Sequence, residues 1–228
     1  MDGHKIRTNS TKLDYILAKK LDDIVVKELG DEAPLNHYFF KPFSVPKFSE
    51  DLDYEYDIEK HFSLMKKQYS VCPEGLAKPF MIIPSGELEG YVLEDIGGKT
   101  LLELSTHYSF NYDAPIHHSE SIINQLKNVL KKLHSNGYAH GDLTENNIIL
   151  IRNENWEEDG KEPYYKLKLI DAIYIPEGYK AIQKFIDRDH EHLNSYEEYL
   201  NSGKESYDSR ARFLEMMGII RPQIRSFL

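Results

Sequence analysis

The sequence predicts an α+β fold, in one domain or two small lobes. Three observations carry that expectation. Residues 13–29 and 119–135 repeat apolar side chains every three or four positions, the period of a helix buried along one face. Pro79-Phe-Met-Ile-Ile83 and Gly90-Tyr-Val-Leu93 are apolar runs of strand length bounded by turn residues. With 228 residues, of which 40% are hydrophobic, the chain has enough apolar mass for a real core.

Bulk properties exclude several classes. The formal net charge of −10 argues against a general nucleic-acid surface. Cys72 is the only cysteine, so the chain can form no internal disulfide and no cysteine-based metal site. The N-terminus lacks an apolar signal core and no stretch has the length of a membrane span. An intracellular setting, cytoplasmic or nuclear, is expected, without a membrane partner. Most of the 16 tyrosines and 10 phenylalanines are expected to fill core or half-buried strand positions.

Along the chain, residues 1–11 are polar and expected to fray. Leu13, Ile16, Leu17, Leu21, Ile24, Val25 and Leu29 then mark one face of a helix that ends near Gly30. The β-prone Asp23-Ile-Val-Val26 suggests strands instead, but the helical period persists to Leu29. His37 to Phe43 is a predicted strand, with Pro42 marking its end or an edge. Residues 51–69 form an acidic amphipathic helix carrying Glu55, Glu59, Phe62 and Met65. Two strands follow around the Pro84-Ser-Gly-Glu87 turn, then a short helix over Leu101 to Leu104 and an irregular stretch over 106–118. Ser119 is a plausible cap for a strong helix whose face holds Ile122, Ile123, Leu126, Val129, Leu130 and Leu133. Asn136-Gly137 stops it. Ile148 to Ile151 is a strand, residues 153–163 an acidic loop with Trp156, and Tyr165 to Ile170 a second strand. Helices are expected near 179–200 and 207–217.

The organising stretch is Tyr138-Ala-His-Gly-Asp-Leu-Thr-Glu-Asn-Asn-Ile-Ile-Leu150. His140, Asp142 and Asn147 stand in the order H-x-D-x-x-x-x-N, between a helix and a strand. Downstream, Lys168-Leu-Ile-Asp171 ends a strand in an acid. Phosphoryl transfer needs an acceptor hydroxyl aligned with the γ-phosphate, cations to neutralise charge, and a carboxylate beside the hydroxyl. Asp142 is the candidate carboxylate. Asn147 and Asp171 offer the hard oxygens that suit Mg²⁺. His140 is a structural member of the loop rather than a base.

On these residues, the region from Val92 to Asp171 resembles the core of the protein-kinase-like superfamily. His-Gly-Asp is similar to the aminoglycoside and choline phosphotransferases and to the small atypical kinases of the RIO and KEOPS-complex types. Thr144 after Asp142-Leu143 resembles the latter, as does the short chain. The resemblance implies a two-lobed fold with a reduced small lobe over residues 1–95 and a truncated large lobe over 96–228, with ATP in the cleft. It implies Leu93 as gatekeeper, Glu94 to Ile96 as the adenine-binding hinge, Asp142 as catalytic acid, and Asn147 and Asp171 as Mg²⁺ ligands. Lys41 would hold the α- and β-phosphates, paired with Glu59, or with Glu55 as the fallback. Lys47 is a weaker candidate because it lies in a Pro-containing loop.

Departures from that pattern shape the expectation. No Gly-x-Gly-x-x-Gly precedes Lys41, and the Asp-Phe-Gly position reads Asp171-Ala-Ile. The chain after Asp171 is too short for a full activation segment and all docking helices. A minimal Ser/Thr protein kinase is the leading expectation. A small-molecule kinase is the rival enzyme, and a pseudokinase scaffold is the alternative of another class. A protein partner could use the C-terminal helices. His107, His117, His118 and His134 are scattered, and His190 and His192 face different sides of their helix, so a histidine metal site is not expected.

Overall fold

The computed structural model describes residues 5–8, 15–32, 37–42, 57–84, 88–104, 119–153, 163–173, 175 and 182–201. The irregular stretch 106–118, Lys47, Glu55, Trp156 and the helix expected over 207–217 lie outside them. The fold is mixed α and β. Two compact units divide it: Met1–Ile96 with Tyr174–Glu177, and Gly97–Ile173 with Gly178–Leu228.

The first unit is built on a four-stranded sheet in the order β1-β2-β4-β3, where β1 is Lys5–Thr8, β2 His37–Pro42, β3 Pro79–Ile83 and β4 Gly90–Glu94. β2, β4 and β3 pair antiparallel, and β1 runs parallel to β2 with Lys5 opposite His37. Each face of the sheet is covered, which explains why β3 and β4 read as continuous apolar runs rather than alternating ones. On one face, Leu21 and Val25 of helix α1 (Tyr15–Leu29) cluster with Tyr38, Phe40, Ile83, Leu88 and Val92. On the other, Phe62 and Met65 of helix α2 (Ile58–Val71) pack with Phe39, Ile82, Tyr91 and Leu93. The strand period of two sorts neighbours such as Tyr38 and Phe39 to opposite faces.

Two sequence expectations change here. Within the polar stretch expected to fray, Lys5–Thr8 forms β1. Its pairing partner lies beyond α1, so a local reading of a polar segment has no means of finding it. The acidic helix starts at Ile58 rather than near Asp51. Asp57 caps it, its carboxylate accepting from the backbone N–H groups of Glu59 and Lys60 at 3.0 Å each. Over Tyr15–Leu29 the helical reading wins over strands, and a 3₁₀ turn at Gly30–Glu32 ends it.

The second unit has a three-stranded antiparallel sheet in the order β5-β6-β7: Lys99–Thr100, Ile148–Arg152 and Tyr165–Leu169. Residues 101–104 form one helical turn. Helix α3 spans Ser119–Ser135 and helix α4 spans Ile182–Asn201. The apolar face read from the sequence of α3 is the buried one: Ile122, Ile123, Leu126, Val129, Leu130 and Leu133 are all buried. Gly137, at φ +76°, ends α3 in a Schellman arrangement, with its N–H on the His134 carbonyl and the Tyr138 N–H on the Leu133 carbonyl. Gln125 of α3 covers the free edge of β7. Its Nε2 donates to the Tyr165 carbonyl at 2.8 Å and its Oε1 accepts from the Leu167 N–H at 3.1 Å. Lys127 of α3 and Glu197 of α4 are ion-paired at 2.8 Å. Among the described residues, no helix is long and apolar enough to cross a membrane.

Candidate active site

The loop from Ala139 to Asn147 is a hydrogen-bonded structure, not a free turn. Gly141 takes φ +75°, a conformation that a side chain disfavours, and so explains glycine between His140 and Asp142. The Thr144 N–H donates to the Asp142 carbonyl at 2.8 Å, and the Asn147 N–H donates to the Thr144 carbonyl at 2.9 Å, closing a 3₁₀ turn over Glu145–Asn147. Asn147 Nδ2 then reaches back to both the carbonyl and the carboxylate Oδ2 of Asp142, each at 2.9 Å. With both amide protons spent on Asp142, the Asn147 Oδ1 is the atom left to meet a cation.

Asp171 is brought alongside by three bonds. The Ile170 N–H donates to the Asn147 carbonyl at 3.0 Å, His140 Nε2 donates to the Ile170 carbonyl at 2.9 Å, and the Ile173 N–H donates to the His140 carbonyl at 2.8 Å. Because a carbonyl can only accept, the His140 proton is on Nε2. His140 is fully buried and its Nδ1 has no hydrogen-bond partner, which suits a structural tie more than a proton carrier. Asp171 sits at φ +60°, the only non-glycine residue with positive φ among those described. Such strain persists where surrounding bonds impose it, and it gathers at functional sites.

Helix α4 supplies the anchor that the sequence did not reveal. Asp189 is fully buried, and its carboxylate accepts from the His140 N–H and the Gly141 N–H at 2.8 Å each and from His134 Nε2 at 3.0 Å. The signal was present: Asp189 occupies the buried stripe of α4 with Leu193 and Tyr196, where an apolar residue would be the default. Tyr196 is fully buried, and its hydroxyl is held far above its ordinary pKa by burial, then by the negative charges of Glu145 and Asp142.

Asp142, Asn147 and Asp171 therefore come together in the second unit. Lys41, Glu59, Glu94 and Ile96 belong to the first. Lys41, on the α2 face of β2, lies opposite Tyr91 of β4. Tyr91 in turn bonds His61 Nδ1 of α2 at 2.9 Å, so the polar tie between α2 and the sheet runs through buried His61. Glu59, the expected partner of Lys41, is exposed in the first turn of α2. Glu94 ends β4, with its N–H on the Lys78 carbonyl at 2.8 Å and its carboxylate accepting from the Lys78 N–H at 3.0 Å. Ile96 is half-buried beyond it.

Among the described residues, no group of three or more His, Cys, Asp or Glu side chains is arranged to hold a metal. Mg²⁺ bound with nucleotide does not need one, because phosphates and water complete its octahedron around one or two protein oxygens. Asn147 Oδ1 and the Asp171 carboxylate are oxygens of the type such an ion takes. No protein-family model matches the chain, and no curated protein sequence matches it.

Proposed function

We propose that the chain is an ATP- and Mg²⁺-dependent phosphotransferase that moves the γ-phosphate to a hydroxyl, as a small atypical Ser/Thr protein kinase. The observation that carries this reading is the pair of hydrogen bonds that Asn147 Nδ2 donates to Asp142, with strained Asp171 tied to the same loop. Asp142 orients the acceptor hydroxyl and takes its proton. The hydroxyl oxygen bonds to the γ-phosphorus as the bridging bond to the β-phosphate oxygen breaks, and ADP leaves with that electron pair. Mg²⁺ supplies charge neutralisation on the phosphates, and Asn147 and Asp171 are the residues to hold it. Lys41 is proposed to steady the α- and β-phosphates, with backbone groups of Glu94 to Ile96 recognising adenine.

A second reading, a pseudokinase scaffold, draws support from the absence of a Gly-x-Gly-x-x-Gly before Lys41. Calorimetry of ATP with and without Mg²⁺, on the parent and on Asp171→Ala, tests the first. Mg²⁺-dependent binding in the parent that disappears in the variant is the expected result. A parent that binds no ATP in either condition contradicts it.

A further inference from the structure

We propose that His192 and Tyr196 of α4 are positioning residues for Asp142, acting through the backbone carbonyl of Leu143. This rests on the phosphotransfer reading. His192 Nδ1 donates to that oxygen at 2.8 Å and the Tyr196 hydroxyl donates to it at 3.0 Å. Both lone pairs of one carbonyl, in the residue directly after Asp142, are thereby held from a single helix.

The peptide unit between Leu143 and Thr144 transmits the constraint. Its oxygen is fixed by His192 and Tyr196, and its N–H donates to the Asp142 carbonyl at 2.8 Å. That carbonyl also accepts from Asn147 Nδ2, whose other proton goes to the Asp142 carboxylate. A continuous run of hydrogen bonds thus leads from α4 to the carboxylate, and bonds in such a series polarise one another in a low-dielectric interior. Leu143 is fully buried, so water is not at hand to replace a lost donor.

Spacing on α4 supports a built arrangement. Asp189, His192 and Tyr196 fall at i, i+3 and i+7, on one face of the helix. Asp189 accepts from the backbone N–H groups just before Asp142, while His192 and Tyr196 donate to the carbonyl just after it. The loop is gripped on both sides of its central acid. Burial and the nearby Glu145 and Asp142 charges keep the Tyr196 hydroxyl protonated, so it remains a donor across the physiological pH range.

The test uses the full chain, with Mg²⁺-ATP as the probe and water as the acceptor. Tyr196→Phe keeps the ring and removes the donor. His192→Leu removes the second donor, and His192→Asn restores an N–H near the place of Nδ1. Tyr196→Phe and His192→Leu should each lower kcat about tenfold while KM for ATP moves less than about twofold, and His192→Asn should recover most of the loss. The Thr144 amide should exchange with solvent about tenfold faster in the two deficient variants, with α3 and β6 unchanged. Parental kcat in Tyr196→Phe, or His192→Asn as deficient as His192→Leu, overturns the proposal. A parent that turns over no ATP defeats the phosphotransfer reading and the catalytic half of the inference with it. Thr144 exchange then decides by itself whether α4 holds the loop, and unchanged exchange in both deficient variants overturns that as well.

Discussion

Asn147 Nδ2 stands 2.9 Å from both the backbone carbonyl and the carboxylate Oδ2 of Asp142. One side-chain amide therefore sets the rotamer of the acid and leaves its own oxygen turned away. Five residues of spacing make this possible, because the intervening 3₁₀ turn folds residue 147 back over residue 142. The H-x-D-x-x-x-x-N pattern is legible as chemistry for that reason: the spacing encodes a contact.

Asp189→Asn should destabilise the second unit and loosen the loop. The amide keeps the shape of the carboxylate but replaces one acceptor with a donor that faces a backbone N–H. Hydrogen bonds to charged groups contribute about 1.5–3 kcal/mol each, so an unfolding free energy lower by about that amount is expected in urea titration. His134→Ala removes only the third, half-buried partner and should cost less.

Gly141→Ala places a methyl group on a residue at φ +75°. The left-handed conformation costs a non-glycine residue about 1–2 kcal/mol. Thermal unfolding should report that loss, and nucleotide turnover should fall further than stability alone explains, because Asp142 is the next residue.

Asp57 caps α2 as an ionised group, its carboxyl held below the usual range first by the backbone N–H of Lys60 and next by that residue's ammonium. A depressed carboxylate contributes stability above its unfolded pKa and loses it as pH falls through the folded value. Asp57→Asn should therefore melt below the parent at neutral pH, and the gap should narrow on acidification. Melting curves taken down through the carboxylate range check this. A gap that widens in acid would count against the cap.

How much of this was readable in the sequence depended on distance along the chain. Helix α3 was legible along its face and at its C-terminus, because six buried apolar residues share one side and Asn136-Gly137 terminates it locally. The Asp142–Asn147 contact was legible because its partners lie within one loop. The anchor at Asp189 was not, although it lies in the dense polar run Asp187-Arg-Asp-His-Glu-His192. Its partners, His140 and Gly141, are 49 and 48 positions away. β1 escaped for a similar reason, since the β2 edge it joins lies across an entire helix. The start of α2 was not legible either: the Asp57 cap sets it at Ile58 and places Glu59 in an exposed first turn.

The central claim is that Asp142 serves γ-phosphate transfer. The direct measurement is ADP release from Mg²⁺-ATP by the parent and by Asp142→Ala, with ATP affinity of both measured in parallel. A general base of this kind contributes about 10²–10⁴-fold, so turnover should fall by that factor while ATP affinity stays close to the parent's. Equal turnover in the two proteins would contradict the assignment of Asp142 and the phosphotransfer reading built on it.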